Sequence, residues 1–187
     1  MSVANAKSLE IIVREATPDD RDFVIATAGR LAEFGPPPWR ATNEIVTGEQ
    51  RTLLEFFDRP APGAALFIAG HPDGQQVGYV YLETHQDYFT HDSYGHISTV
   101  AVNEHHEGQG VGSALMRAAE EWARSNGFRH LTLNVFEANG RAREIYEHLG
   151  FRVETLHYVK VLDGGGKPNY CSGARDSMPQ VASSDTG

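Results

Sequence analysis

The feature that most constrains this chain is the stretch "HEGQGVGSAL" at residues 106–115, which places three glycines within five residues directly before a helical pattern. Val111, Leu115, Ala118 and Trp122 recur at three- and four-residue spacing, which predicts a helix with one apolar face. A strand, a glycine-rich turn and a helix together present backbone N–H groups at the positive end of the helix dipole. The stretch therefore predicts a binding site for an anionic phosphate.

Three explanations compete for such a turn. A nucleotide P-loop ends in lysine followed by serine or threonine, and here Ser113 follows Gly112 without a lysine. A dinucleotide-binding fingerprint needs a third glycine three residues after the second, and these glycines do not have that spacing. The structural explanation is a tight turn that packs a helix on a strand and binds nothing. The glycines alone leave open what the turn is for.

The remaining sequence alternates between helical and strand patterns without an internal repeat, which favours one α/β domain. Asp73-Gly74 predicts a hairpin between two strands, and "GPPPWR" at residues 35–40 must end the first helical region. We expect strands at residues 11–14, 64–70, 75–85, 96–102 and 131–136, helices at residues 18–33, 49–57, 111–125 and 139–150, and extended chain at residues 151–162.

The two ends of the chain differ in composition from its middle. Residues 163–187 are rich in Gly and Ser and show no periodicity, so we expect a flexible C-terminal tail, and residues 1–9 form a short N-terminal tail. Residues 10–162 then form the single folded domain. Cys171 lies in the C-terminal tail, and because it is the only cysteine we assign it no chemistry.

The formal net charge of -9 at pH 7 argues against a nucleic-acid partner, because phosphate binding requires a basic surface. The same acidic balance is compatible with a cationic partner. No apolar run approaches the roughly 18 residues of a membrane helix, and the opening "MSVANAKSLE" lacks the apolar stretch of a signal peptide. We expect a cytoplasmic protein without membrane contact. We also expect no metal, and we leave a homodimer open.

The order of strand, "EGQGVGSAL", helix and strand, followed by Asn139, Ala142, Tyr146 and the closing "LGF", resembles the GNAT superfamily of acetyl-CoA-dependent N-acetyltransferases. The resemblance covers residues 11–162, and residues 95–151 are its most specific part. It implies a single α/β (α+β) domain with a mixed, mostly antiparallel central sheet flanked by helices. It also implies direct transfer of an acetyl group from acetyl-CoA to a primary amine of a small molecule or protein.

The resemblance also implies where acetyl-CoA binds. In the family, the segment Arg/Gln-x-x-Gly-x-Gly/Ala opens the helix, and its amides hold the pyrophosphate. Glu107 occupies the first position of this segment, which departs from the family pattern. A carboxylate beside a pyrophosphate is unfavourable unless it points to solvent, so we expect Glu107 to contribute through its backbone only. The implied cofactor-binding residues are Val100, Ala101, Val102, Glu107, Gly108, Gln109, Gly110, Val111, Gly112, Ser113, Asn139, Ala142, Arg143 and Tyr146.

Within that set the expected roles differ. The strand around Val100 matches the one that pairs with the pantetheine arm, and the amide near Val100 would bond the acetyl carbonyl. Asn139 matches an asparagine that bonds the pantetheine arm in relatives, and it also suits the N-cap of a helix. Arg141 and Arg143 are candidates for the 3′-phosphate, with solvated helix arginines as the alternative.

The resemblance implies three candidate catalytic residues. Tyr146 aligns with the tyrosine that protonates or orients the departing thiolate in many relatives, although its helical phase also suits a core aromatic. His96 aligns with positions where relatives carry a Glu or His base, and a reference pKa near 6.5 suits that task. Glu83, on the adjacent strand, is the substitute base. His91 and Asp92, in the preceding loop, are candidates for binding substrate.

Two functions of other classes compete with acetyl transfer. A non-catalytic sensor of acyl-CoA would bind acetyl-CoA but release no free thiol with any amine. A nucleotide-dependent oxidoreductase would be stabilised against heating by NAD rather than by acetyl-CoA. The acceptor amine itself is not encoded in any motif of the sequence.

Overall fold

The computed structural model describes residues 10–162, so the two predicted tails and Cys171 lie outside the described residues. The described chain divides at His157 into two units. Every described helix and strand lies in the first unit, and residues 157–162 carry neither. Among residues 10–162, no helix combines the length and the apolar character that crossing a membrane requires.

A five-stranded sheet forms the centre of the first unit, with its strands in chain order. The first four strands pair antiparallel and the last pair is parallel, which confirms the predicted mixed, mostly antiparallel sheet. The strands are β1 (Ile12–Glu15), β2 (Ala65–Gly70), β3 (Gln76–Gln86), β4 (Ser93–Val102) and β5 (Leu131–Leu133).

Helices cover both faces of the sheet. They are α1 (Arg21–Thr27), α2 (Thr42–Asp58), α3 (Val111–Ser125) and α4 (Gly140–His148), with short 3₁₀ helices at Pro18–Asp20, Ala28–Glu33 and Glu104–His106. Tyr79 and Tyr81 of β3 pack on the side of α1 and α2, whereas Val80 and Leu82 pack under α3. The alternation of side chains along a strand produces this division.

The strands β4 and β5 pair over only three residues, where Gly95, His96 and Ile97 face Leu131, Thr132 and Leu133. Within the described residues, residues 99–102 pair with β3 alone. The register between β3 and β4 also shifts at this point, because Ser98 is an extra residue between the paired positions. The sheet is therefore splayed beside residues 98–102, and alternate backbone N–H and C=O groups there face an unpaired edge.

A close contact at Gly78 fixes α3 on the sheet. A Cβ atom at this position would lie 2.8 Å from the Ala101 carbonyl oxygen and 3.1 Å from Cγ1 of Val111. Only glycine fits, because both distances are shorter than normal carbon contacts. The start of α3 is consequently held directly over β3 and β4.

Three predicted boundaries and one helix type were wrong. The helix predicted to start at residue 49 begins at Thr42, where Glu44 accepts a hydrogen bond from the Ala41 amide at 2.9 Å and offsets the weak helix propensity of this stretch. The first helical region has its predicted bounds, residues 18–33, but it consists of a 3₁₀ helix, an α-helix and a second 3₁₀ helix. The strand β4 starts three residues early and β5 is half its predicted length.

Residues 151–162 form no strand in the structure, although their pattern predicts extended chain. A strand requires a neighbouring backbone to complete its hydrogen bonds, and side-chain alternation does not supply one. Within the first unit, Val153 and Leu156 of this segment are 67% and 70% exposed.

Candidate active site

The glycine loop, which we define as residues 107–113, leads from β4 into α3. Gly108 and Gly110 adopt left-handed backbone angles, with φ of 74° and 84°. Cβ atoms built on Gly108, Gly110 and Gly112 meet nothing within 4 Å, so the loop borders open space. The first N–H groups of α3 have no partner within the helix. These features fit an anionic ligand such as a pyrophosphate.

The amino terminus of α4 lies at the same edge of the sheet as the glycine loop. The two helices follow β4 and β5, and because these strands are parallel, both helices begin beyond the carboxyl ends of the strands. Asn139 caps α4, since its Oδ1 accepts a hydrogen bond from the Ala142 amide at 3.1 Å. The predicted N-cap is therefore confirmed. The splay between β4 and β5 opens between these two helix termini.

Contrary to what the sequence led us to expect, the Glu107 side chain does not point freely to solvent. One carboxylate oxygen accepts a hydrogen bond from Arg30, and the other accepts one from Arg141 Nη1 at 2.8 Å. Its side chain is 29% exposed. Two guanidinium groups thus neutralise a carboxylate that would otherwise repel an anion at the loop.

His96 is three residues inside β4 rather than at its start, and it is only 8% exposed. Its Nδ1 lies 2.7 Å from Oγ1 of Thr132, whose hydroxyl donates to the Gly95 carbonyl at 3.5 Å. With the Thr132 hydroxyl turned towards that carbonyl, Oγ1 is free to accept a hydrogen bond from an Nδ1–H group of His96. The Asn134 amide points at Nε2 from 3.5 Å. We assign the Nδ1–H tautomer from this network, which leaves Nε2 able to accept a proton.

The surroundings of His96 favour its neutral form. Burial lowers the pKa of His96 below its usual value, and the nearby His85 lowers it further, while Glu83 acts in the opposite direction. The rings of His85 and His96 are stacked, with centroids 4.7 Å apart and planes at 17°. A neutral imidazole with an accepting Nε2 has the form that a general base requires.

Glu83 lies beside His96 in the sheet register, on the same face. Both of its oxygens accept hydrogen bonds: Tyr81 Oη donates to Oε1 at 3.2 Å, and Ser98 Oγ donates to Oε2 at 2.8 Å. The hydroxyls of Tyr81 and Ser98 therefore fix the position of the Glu83 carboxylate beside His96.

Glu49 is a further residue of the candidate site, and the sequence did not reveal it. It projects from α2 onto Thr99 of β4, whose hydroxyl donates to Glu49 Oε1. Burial raises the pKa of Glu49, the Thr99 bond opposes this effect, and the charge of Glu83 adds to it. The buried Tyr79 hydroxyl also senses the charge of Glu49, and its pKa is raised mainly by burial. The carboxylates of Glu49 and Glu83 therefore lie close enough on this side of the sheet for their charges to interact.

These side chains form a continuous polar face on the α1 and α2 side of the sheet. We use the name polar face for the set Glu49, Glu83, His85, His96, Ser98, Thr99 and Thr132.

Tyr146 lies on the opposite side, among the residues packed against the core under α3. Its ring meets Phe151 edge to face, with centroids 6.0 Å apart. Burial raises the pKa of the Tyr146 hydroxyl, which keeps it protonated at neutral pH. His96 and Tyr146 therefore lie on opposite faces of the sheet, and the packing of Tyr146 suits both the catalytic and the core role.

The other predicted residues take less central positions. Val100 and Val102 pack against the core under α3. The Gln109 amide donates to the His105 carbonyl at 3.0 Å, and Arg143 donates to the Glu137 carbonyl at 3.2 Å. The exposed residues His91 and Asp92 lie in a turn closed by the His91 amide bonding the Asp87 carbonyl at 2.9 Å.

The segment "GPPPWR" packs near the start of α4. A Cβ at Gly35, whose φ is 73°, would lie 3.0 Å from the Ala138 Cβ. The segment therefore borders the loop that carries Asn139.

Residues 31–151, more than half of the chain, match the model of the Acetyltransferase (GNAT) family, and the chain belongs to this family. It is 27% identical over 148 residues to mycothiol acetyltransferase of Amycolatopsis mediterranei, covering 78% of this chain and 46% of that protein. It is 33% identical over 85 residues to streptothricin acetyltransferase of Streptomyces lavendulae, covering 46% of this chain and 43% of that protein. The chain spans less than half the length of these relatives.

A solved structure, a putative acetyl transferase from Pyrococcus furiosus, has the same fold. Its TM-score is 0.67 at 21% identity, with 82% of this chain and 100% of that chain covered. The GNAT fold that the sequence resemblance implies is confirmed by this likeness and by the family match.

Proposed function

We propose that this protein transfers an acetyl group from acetyl-CoA to a primary amine by direct attack of the amine on the thioester. The observation that carries the proposal is the position of Nε2 of His96, an acceptor in a largely buried imidazole, beside the point where β4 and β5 separate. A phosphate-binding loop and a capped helix terminus flank the same opening. Family membership makes acetyl transfer the general chemistry, and acetyl-CoA supplies the activated thioester.

The residues at the opening fit this cofactor. The amides of the glycine loop would hold the pyrophosphate, because φ angles near 80° and open space at the glycines leave the backbone accessible. The unpaired edge of residues 98–102 would bind the pantetheine arm as an added strand. Asn139 would serve that arm with donors and acceptors that its capping bond leaves free.

His96 would remove the proton from the attacking amine, directly or through water. An amine of pKa about 10 is mostly protonated at pH 7, which costs roughly 4 kcal/mol at 1.36 kcal/mol per pKa unit. The lowered pKa of His96 keeps the imidazole neutral, and the Thr132 bond orients Nε2 as the accepting atom. Tyr146, from the opposite face, would donate its proton to the departing thiolate.

The acceptor is proposed to be cationic. Glu83 and Glu49 place two carboxylates on the polar face, and the net charge of the chain is -9. A bound ammonium would offset the burial that raises the pKa of Glu49. The named relatives act on different acceptors, so their names do not identify this one.

A panel of amines assayed for free CoA thiol release tests the proposal. We expect release with cationic primary amines, and an apparent affinity that falls as salt shortens the Debye length from about 10 to 3 Å. Binding of acetyl-CoA without thiol release for any amine would instead identify a non-catalytic acyl-CoA sensor. A neutral or acidic best acceptor would contradict the cationic assignment alone.

A further inference from the structure

A bridge of two arginines and one glutamate joins three elements around the glycine loop. Arg30, from the 3₁₀ helix Ala28–Glu33, donates to one oxygen of Glu107, and Arg141, from the first turn of α4, donates to the other. These arginines are 77 and 34 residues from Glu107 in the chain. The bridge therefore spans the opening between the glycine loop and α4.

The two arginines are held very differently. The side chain of Arg30 is 15% exposed, it also binds Glu33, and its guanidinium lies 5.2 Å above the Phe34 ring. The side chain of Arg141 is 62% exposed. An ion pair of that exposure contributes little net stability. The Arg30 end of the bridge is therefore fixed, and the Arg141 end can exchange its partner.

Arg141 is also poorly placed for helix stability. It is the second residue of α4, where a positive charge opposes the helix dipole. Glu107 directly precedes Gly108, which borders open space. A phosphate bound at the loop would compete with Glu107 for this guanidinium, and phosphates form strong, charge-assisted bonds with arginine.

We propose that Glu107 is an exchangeable strap, which holds Arg141 across the opening in the free protein and releases it to a phosphate of acetyl-CoA on binding. The inference rests on the proposed function, because acetyl-CoA is the phosphate ligand. Breaking the Glu107–Arg141 bond and keeping a carboxylate near the phosphates both weaken binding. Glu107 therefore lowers cofactor affinity and accelerates the release of CoA.

Calorimetric titration of acetyl-CoA into four proteins tests the strap. Compared with the wild type, Glu107→Gln should bind about tenfold more tightly, because it removes the competing charge. Glu104→Gln is the matched control: it changes the net charge equally and lies 3.9 Å from Arg30, yet should shift affinity less than about twofold. The double variant Glu107→Gln/Arg141→Met should lose most of the gain.

The outcomes separate the strap from the proposed function. Wild-type protein that does not bind acetyl-CoA overturns both. If the wild type binds acetyl-CoA and Glu107→Gln binds it equally or more weakly, the strap alone is overturned. The strap is also overturned if the double variant keeps the higher affinity of Glu107→Gln. Should Glu107→Gln fail to fold, Glu107→Ala takes its place in the same titrations: tighter binding than the wild type supports the strap, and equal or weaker binding refutes it.

Discussion

The glycine loop and the polar face are built from different parts of the chain. The loop is made by one continuous segment, and it depends on glycine having no side chain at residues 108, 110 and 112. The polar face depends on side chains that are present, and it draws them from α2, β3, β4 and β5. The loop should therefore control cofactor binding, and the polar face should control proton transfer and the choice of acceptor.

Replacing His96 should produce the largest effect. His96→Ala is expected to lower turnover by about 10²–10⁴-fold, because it removes the proposed general base. Turnover is measured by thiol release with the best amine from the panel. His130→Ala is the matched control, since it removes an exposed histidine directly before β5, and its turnover should equal that of the wild type. Equal rates for both variants would reject His96 as the base.

Adding a negative charge to the glycine loop should produce the second largest effect, on acetyl-CoA affinity. Gly112→Glu places a carboxylate in open space at the first turn of α3, without the left-handed angle that would strain Gly110→Glu. We expect acetyl-CoA affinity to fall roughly 30-fold, about 2 kcal/mol, while the melting temperature holds or rises because an acidic residue suits this end of a helix.

Gly112→Ala serves as the control for that variant. It adds a methyl group to the same open space without charge, so its affinity should fall much less. Full cofactor affinity in Gly112→Glu would remove the loop from the binding site.

Tyr146→Phe should reduce turnover by about tenfold, because it deletes only the proposed proton donor. The ring remains to pack against Phe151, so thermal unfolding should be unchanged. Tyr146→Ala would also lower the free energy of unfolding by about 3 kcal/mol through lost packing, so it would not separate the proton-donor role from the core role. Wild-type turnover in Tyr146→Phe would assign Tyr146 to the core alone.

The neighbours of His96 should shift the acidic limb of the pH profile in opposite directions. A base acts when neutral, so turnover falls as pH drops through the lowered pKa of His96, which lies below about 6.5. His85→Gln should move the limb to higher pH, because His85 lowers this pKa. Glu83→Gln should move it to lower pH, because Glu83 raises it. Shifts of the same sign would show that another group titrates.

The contrast between the two regions also explains what the sequence could predict. The glycine loop, α3 and the Asn139 cap depend on neighbours within a few residues, and all three were predicted at their positions. The start of α2 was missed, because Ile45, Val46, Thr47 and Gly48 are weak helix formers that tertiary packing overrides.

Most of the polar face could not be found from local patterns. Thr99 meets Glu49 across 50 residues, and His96 meets Thr132 across 36. The family resemblance indicated His96 and Glu83. The spacing of Glu83 and His85, two apart on a strand, is a local signal that both share a face. The bridge from Glu107 to Arg30 likewise depends on the fold.

The dissociation constant of acetyl-CoA for His96→Ala tests most directly the claim that loop and polar face have separate tasks. Isothermal titration of this variant and of the wild type should give values within about twofold, even though turnover falls at least a hundredfold, because His96 lies outside the loop. A dissociation constant that weakens in proportion to the lost turnover would contradict the account, since His96 would then act in cofactor binding rather than in proton transfer.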